Sequence, residues 1–156
     1  MIPKPSHDHQ WVTDRIALGS AVTRGEQVRV LLDEHVTHVL DLRLHVSSPE
    51  LVLYEKTGIE LLRAGVLDDH LPKPDEWFHR GIDFVLGALD RRRSRVLIHC
   101  LAGVSRAPSM TYAVLRALGT PGADAEAKIR KARALVQRIR YRDDADRALR
   151  SWRRRR

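Results

Sequence analysis

Apolar residues along the chain follow two rhythms. Short unbroken runs in THVLDL (37–42), IELLRAGV (59–66) and RVLIHC (95–100) have the length and composition of strands buried on both faces. WVTDRIALGS (11–20) reads as a further short strand ending at Gly19. Between these runs the spacing becomes helical. Residues 22–34 carry Val22, Val28, Leu31 and Leu32 on one stripe, and SSPELVLYEK opens with serine then proline, as helix entries do. From Asp75 to about Arg91, Phe78, Ile82, Val85 and Leu89 share a face, with Asp75 as the expected N-cap. Pro108 suits the first turn of a helix that runs to Gly119, a natural C-cap, and two more helices are expected over 123–140 and 143–153. LDDHLPKP (67–74) is a polar loop with two prolines, and MIPKPSHDHQ (1–10) is an irregular lead-in.

Strands alternating with helices predict an α/β fold: a single domain with a mostly parallel central sheet flanked by helices. The domain is expected to span 11–152, followed by a basic tail, 153–156. Ligands of such sheets bind at the carboxyl ends of the strands, and RVLIHC delivers Cys100 to that edge.

Composition narrows the setting. A chain of 156 residues can bury a full core as one domain. Its one cysteine excludes an internal disulfide and any multi-cysteine metal site. No apolar stretch reaches the length of a membrane span, so the expectation is a cytoplasmic monomer with a reduced thiol. The net charge of +8 is unevenly placed. Residues 128–156 hold 13 Lys or Arg against 3 Asp, whereas the first 127 residues are slightly acidic. The basic C-terminus is therefore read first as a solvated helical face, and second as a contact for an anionic partner such as nucleic acid, membrane or acidic protein.

The densest chemistry lies in HCLAGVSRAPS (99–109). A lone cysteine at a strand end is ordinarily a small buried hydrophobe. Here it opens a loop that turns through Gly103 and enters a helix with unpaired N–H groups and a positive dipole end. Amides of Leu101, Ala102, Gly103, Val104 and Ser105 can curl around one tetrahedral oxyanion, and Arg106 adds a planar fork for two of its oxygens. The same field favours the thiolate of Cys100. A nucleophile inside a phosphate cradle is equipped for covalent phosphoryl transfer.

HCLAGVSR matches the HCxxGxxR signature of the cysteine-dependent protein phosphatases, in the HCxAGxSR form typical of the dual-specificity phosphatase family. WVTDRIALGSAVTRG, HVTHVLDL, WFHRGIDFVLGAL and KIRKARALV also resemble segments of that family, so the likeness covers roughly residues 11–150. It implies a metal-independent phosphatase, without cofactor, that acts through a phosphocysteine. Cys100 would attack phosphorus, Arg106 would hold the phosphoryl oxygens, and His99 would order the loop from behind. The family draws its general acid from a loop about thirty residues before the cysteine. Asp68 and Asp69 both stand there, and Asp68, ten residues before Phe78, matches the family spacing better. Most relatives carry Ser or Thr where this chain has Ala107, which puts the hydrolysis of the intermediate in question; Ser109 lies two residues further on.

The neutral loop residues Leu101, Ala102, Val104 and Ser105 favour a singly phosphorylated side chain. The substrate expected is therefore a phosphoprotein, with phosphotyrosine first and phosphoserine or phosphothreonine next. The same chemistry on a phosphoinositide, carbohydrate phosphate or RNA 5′-triphosphate is the alternative, and a catalytically weak phosphate-binding adaptor or a tail-led nucleic-acid binder stand as other classes. His7, Asp8, His9, His35, His38 and His45 have no metal-ligand spacing, and no metal site is expected. Trp77, Phe78 and Phe84 fit a helix face packed on the sheet. With eight aromatic residues in all, the chain lacks the interleaved stacking of a single-strand binder.

Overall fold

The computed structural model describes residues 2–156. Its centre is a five-stranded sheet in the order β1-β2-β5-β3-β4, formed by β1 His9–Trp11, β2 Ile16–Gly19, β3 His38–Asp41, β4 Glu60–Arg63 and β5 Val96–His99. Only β1 runs antiparallel to its neighbour. The helices are α1 Gly25–Asp33, α2 Asp75–Leu89, α3 Arg106–Ala117, α4 Gly122–Ala132 and α5 Arg142–Arg154. A 3-10 turn, Ser48–Val52, replaces the helix expected after SSP.

The apolar runs are strands because both sheet faces are covered. Ala17, Val39 and Leu97 point to α1 residues Val28 and Leu31, with Tyr54 and Ile59 alongside. Their neighbours Ile16, Leu18, Leu40, Val96 and Ile98 point the other way, into the larger core under α2 to α5. Successive strand residues thus serve opposite cores, so no polar alternation survives in the sequence.

Several boundaries differ from the sequence reading. β1 begins at His9, inside the expected lead-in, because its backbone pairs with β2. Helix α1 starts at Gly25; Gln27 reaches back to accept the N–H groups of Thr23 and Arg24, and Val22 is buried before the helix begins. Pro74 occupies the N-cap of α2, and the Asp75 carboxylate instead accepts from Arg147 and Ser151 of α5. Strand β4 ends at Arg63; at Gly65 a Cβ would lie 2.6 Å from the carbonyl oxygen of Arg43, so only glycine allows this approach. Helix α4 stops at Ala132 instead of running to 140, because Arg133 leaves the helical backbone and its side chain is drawn inward. Helix α5 runs beyond 152 to Arg154, so the basic end is in part helical.

This topology fixes the site. β5 lies between β2 and β3, with His99 in register with Gly19 on one side and Asp41 on the other. The chain leaving β5 therefore emerges at the middle of the carboxyl edge.

Candidate active site

Cys100 follows β5 directly and is buried, 2 % exposed. The next three carbonyls are all held away from the loop's interior. Leu101 O accepts from Ala21 N–H at 2.9 Å, Ala102 O from Arg133 Nη2 at 2.8 Å, and Gly103 O from Arg133 Nε at 2.9 Å. In a planar trans peptide the N–H points opposite the C=O, so the amides of Ala102, Gly103 and Val104 are turned to the loop's other side. Such a run of convergent amides is an anion-binding concavity. Gly103 has φ +72°, and a Cβ there would lie 2.6 Å from Gly19 and 2.9 Å from Arg133 Nη2.

Arg133 is itself 2 % exposed and is clamped in turn. Asp8 accepts from its Nη1 and Nη2 at 2.8 and 2.9 Å, a bidentate pair that holds the Asp8 carboxyl at about 2. Sequence reading missed this residue, which is one basic side chain among 13 in the C-terminal segment. Asp8 sits inside HDH, a pattern without metal-ligand spacing and with no local sign of a distant arginine partner. His7 and His9 of that group bond to each other through their Nδ1 atoms, and His9 Nε2 meets Glu34.

Arg106 opens α3 and is nearly buried. Its Nη1 donates to Val66 O at 2.9 Å and, more weakly, to Leu42 O at 3.4 Å. Its Nε is one of two buried side-chain polar atoms without a partner among the described residues, Tyr54 Oη being the other. A buried guanidinium N–H left without a protein acceptor costs free energy unless an anion meets it. It lies beside the loop whose amides converge.

Asp68 is brought to this loop and Asp69 is not. Asp68 Oδ1 accepts from Ser105 Oγ at 2.7 Å and from Tyr141 Oη at 2.6 Å. Burial pushes its carboxyl up, but the bonds from Tyr141 and Ser105 and the charges of Arg106 and Arg140 outweigh it and hold it below the usual range. Asp69 turns away to Lys73 Nζ and the Leu71 amide. Behind the cysteine, His99 is fully buried and lies 3.1 Å from Cys100 O through Nδ1. A carbonyl only accepts, so Nδ1 carries the proton. Burial lowers the His99 ring to about 4 despite Asp41 at 3.8 Å, so it is neutral near pH 7. Asp41 is occupied by Arg43 and Arg63.

Residues 17–154 match the family described as dual specificity phosphatase, catalytic domain. The chain belongs to that family. Solved structures agree in fold across nearly the whole dual-specificity phosphatase domain. PTPMT1 superposes with TM-score 0.79 at 22 % identity, covering 94 % of this chain and 97 % of that one. Human DUSP28, solved as a point variant, gives 0.77 at 20 % identity, covering 96 % and 99 %. DUSP15 gives 0.73 at 17 % identity, covering 97 % of each. As a member of this family, the chain is a hydrolytic phosphatase domain of the cysteine-dependent type. Of the residues singled out from sequence, Cys100, the 101–105 loop, Arg106, Asp68 and His99 lie together in this dual-specificity phosphatase domain. Tyr141 joins them from the short connection expected between the last two helices.

Proposed function

We propose that the domain hydrolyses phosphomonoesters of protein side chains, phosphotyrosine first and phosphoserine or phosphothreonine next, through a phosphocysteine. The partnerless Nε of Arg106 beside the convergent loop amides carries this reading. Cys100 Sγ bonds to phosphorus while the phosphorus–oxygen ester bond breaks, and the Arg106 fork and loop amides hold the phosphoryl oxygens. Asp68 gives its proton to the departing alcohol or phenol. Water then attacks phosphorus, the Asp68 carboxylate takes its proton, and inorganic phosphate leaves with Cys100 restored. The neutral side chains at Leu101, Ala102 and Val104 suit a single phosphate.

A second reading is favoured by one observation. Leu67 and Leu71, which flank the two acids, and Leu101 in the loop are 49 to 65 % exposed. Leu44, 48 % exposed, belongs to the same edge, since its backbone packs on Gly65. An apolar collar around a phosphate cradle also suits a phosphate borne on a lipid, and PTPMT1, at 23 % identity and TM-score 0.77, has been solved in complex with PI(5)P.

Hydrolysis of para-nitrophenyl phosphate tests the chemistry: Cys100→Ser abolishes it under the proposed mechanism, and an unchanged rate refutes the phosphocysteine. Phosphotyrosine peptide and vesicle-borne PI(5)P then compete as substrates. Faster turnover of the peptide supports the first reading. Faster turnover of the lipid, with loss in Leu67→Gln and Leu101→Gln, replaces it with the second.

A further inference from the structure

An acid that gives a proton from one carboxyl oxygen is best held by the other. Asp68 is built in this way. Both of its donors, Tyr141 Oη and Ser105 Oγ, meet the same atom, Oδ1, while Oδ2 accepts no hydrogen bond among the described residues. Tyr141 is in turn fixed from three directions. It is 4 % exposed, its N–H donates to Ser109 Oγ at 3.0 Å, and its hydroxyl accepts the His70 N–H at 3.2 Å. Lys73 Nζ stands 5.0 Å from its ring centroid. One residue therefore ties the acid loop to α3: its hydroxyl meets Asp68 and the His70 N–H, and its backbone N–H meets Ser109.

We propose that Tyr141 is a positioning residue for proton transfer: with Ser105 it occupies Asp68 Oδ1, so that Oδ2 carries the transferable proton. This rests on Asp68 being the general acid. In the first step the Oδ2–H bond breaks and the proton passes to the ester oxygen as its bond to phosphorus breaks. The negative charge left on the carboxylate is met at Oδ1 by two O–H donors already in place, which is preorganised stabilisation of the product side. In the second step the same Oδ2 receives the proton of the attacking water.

The arrangement has an opposite consequence that makes it measurable. Donors to the ionised form strengthen the acid and reduce its protonated fraction near neutral pH. The charges acting on Asp68 are Arg106 of α3 and Arg140 of the segment before α5, and Arg140 Nη1 meets His70 Nδ1 of the acid loop. Tyr141→Phe removes one donor and leaves these charges in place, so its effect is separable from theirs.

The test is the pH dependence of kcat and kcat/KM on phenyl phosphate, whose leaving group needs a proton, for wild type, Tyr141→Phe, Asp68→Asn and the double variant. Tyr141→Phe is expected to move the alkaline limb up by about one pH unit and to lower kcat about fivefold or more. Asp68→Asn is expected to lose about 100-fold. In that background the tyrosine substitution should change the rate less than about twofold. An unmoved alkaline limb, or equal losses with and without Asp68, would make Tyr141 merely structural and overturn the proposal. Wild-type rates for Asp68→Asn would remove Asp68 as the acid and the proposal with it. If Tyr141→Phe melts at low temperature, Ser105→Ala removes the other donor to Oδ1, and the same shift of the limb is required of it.

Discussion

Ala107 follows Arg106 and is fully buried in the first turn of α3. It offers no hydroxyl to the sulfur, and among the described residues no neighbouring hydroxyl hydrogen-bonds to Cys100 Sγ. Ser105 Oγ donates to Asp68, and the fully buried Ser109 Oγ holds the Tyr141 N–H. For an activated aryl ester, whose leaving group needs little help from a proton, breakdown of the phosphocysteine should therefore be the slow step. Rapid-mixing kinetics on para-nitrophenyl phosphate should show a burst close to one equivalent of enzyme, and Ala107→Ser should speed the steady phase. A linear trace from the first turnover, unchanged by the added hydroxyl, contradicts this. Cys100 has no second cysteine to form a protecting disulfide, so prolonged peroxide should convert it to acids that dithiothreitol does not reverse. Mass spectrometry of the treated protein, alongside recovered activity, checks the outcome.

At the level of elements, the 101–105 loop is shaped from outside itself. Its carbonyls are held by the Ala21 amide after β2 and by Arg133 at the end of α4, and Arg133 is held by Asp8 beside β1. Arg133→Ala frees two carbonyls, and kcat/KM should fall about 10- to 100-fold, the cost of misplacing groups by about 1 Å. Gly103→Ala forces a Cβ against Gly19 at a positive φ and should cost about 1–3 kcal/mol in thermal or denaturant unfolding. The Asp8–Arg133 pair also sets a pH dependence. Asp8 titrates at about 2 in the folded protein against an ordinary 3.8, so its contribution is complete above about pH 4 and is lost as pH falls through 2. Asp8→Asn should flatten part of the decline in Tm over that window, while an unchanged decline would show that the pair contributes no linkage.

For the molecule as a whole, the C-terminal arginines serve the fold as well as the surface. Arg153 Nη2 donates to Arg116 O, Arg155 Nη1 meets His79 Nδ1, and Arg156 Nη2 bonds Asp83 while its guanidinium lies over Trp152. Trp152 Nε1 donates to the same Asp83, so the end of α5 is fastened along α2. Deleting residues 153–156 should lower Tm by roughly 2–6 °C, since several half-exposed contacts of a few tenths to one kcal/mol are lost together. A truncated protein with unchanged Tm would return these residues to the role of a free basic tail.

What the sequence determined by itself is local. Unbroken apolar runs specify strands covered on both faces, and the strand–loop–helix around HCLAGVSR places a cysteine, a turning loop and an arginine within eight consecutive residues. Asp68 was singled out by its spacing ahead of Phe78, which matches the dual-specificity phosphatase pattern that the sequence resembles. What tertiary structure decided is everything that meets across large separations. Asp8 to Arg133, and Tyr141 to Asp68, join residues 125 and 73 positions apart. Their partners could not be read from neighbours, since nothing in the composition distinguishes Arg133 from twelve other basic residues around it. Even the end of α4 was set this way. A helical pattern that propensity would have carried to 140 stops at Ala132, where the next side chain turns inward to the Ala102 and Gly103 carbonyls.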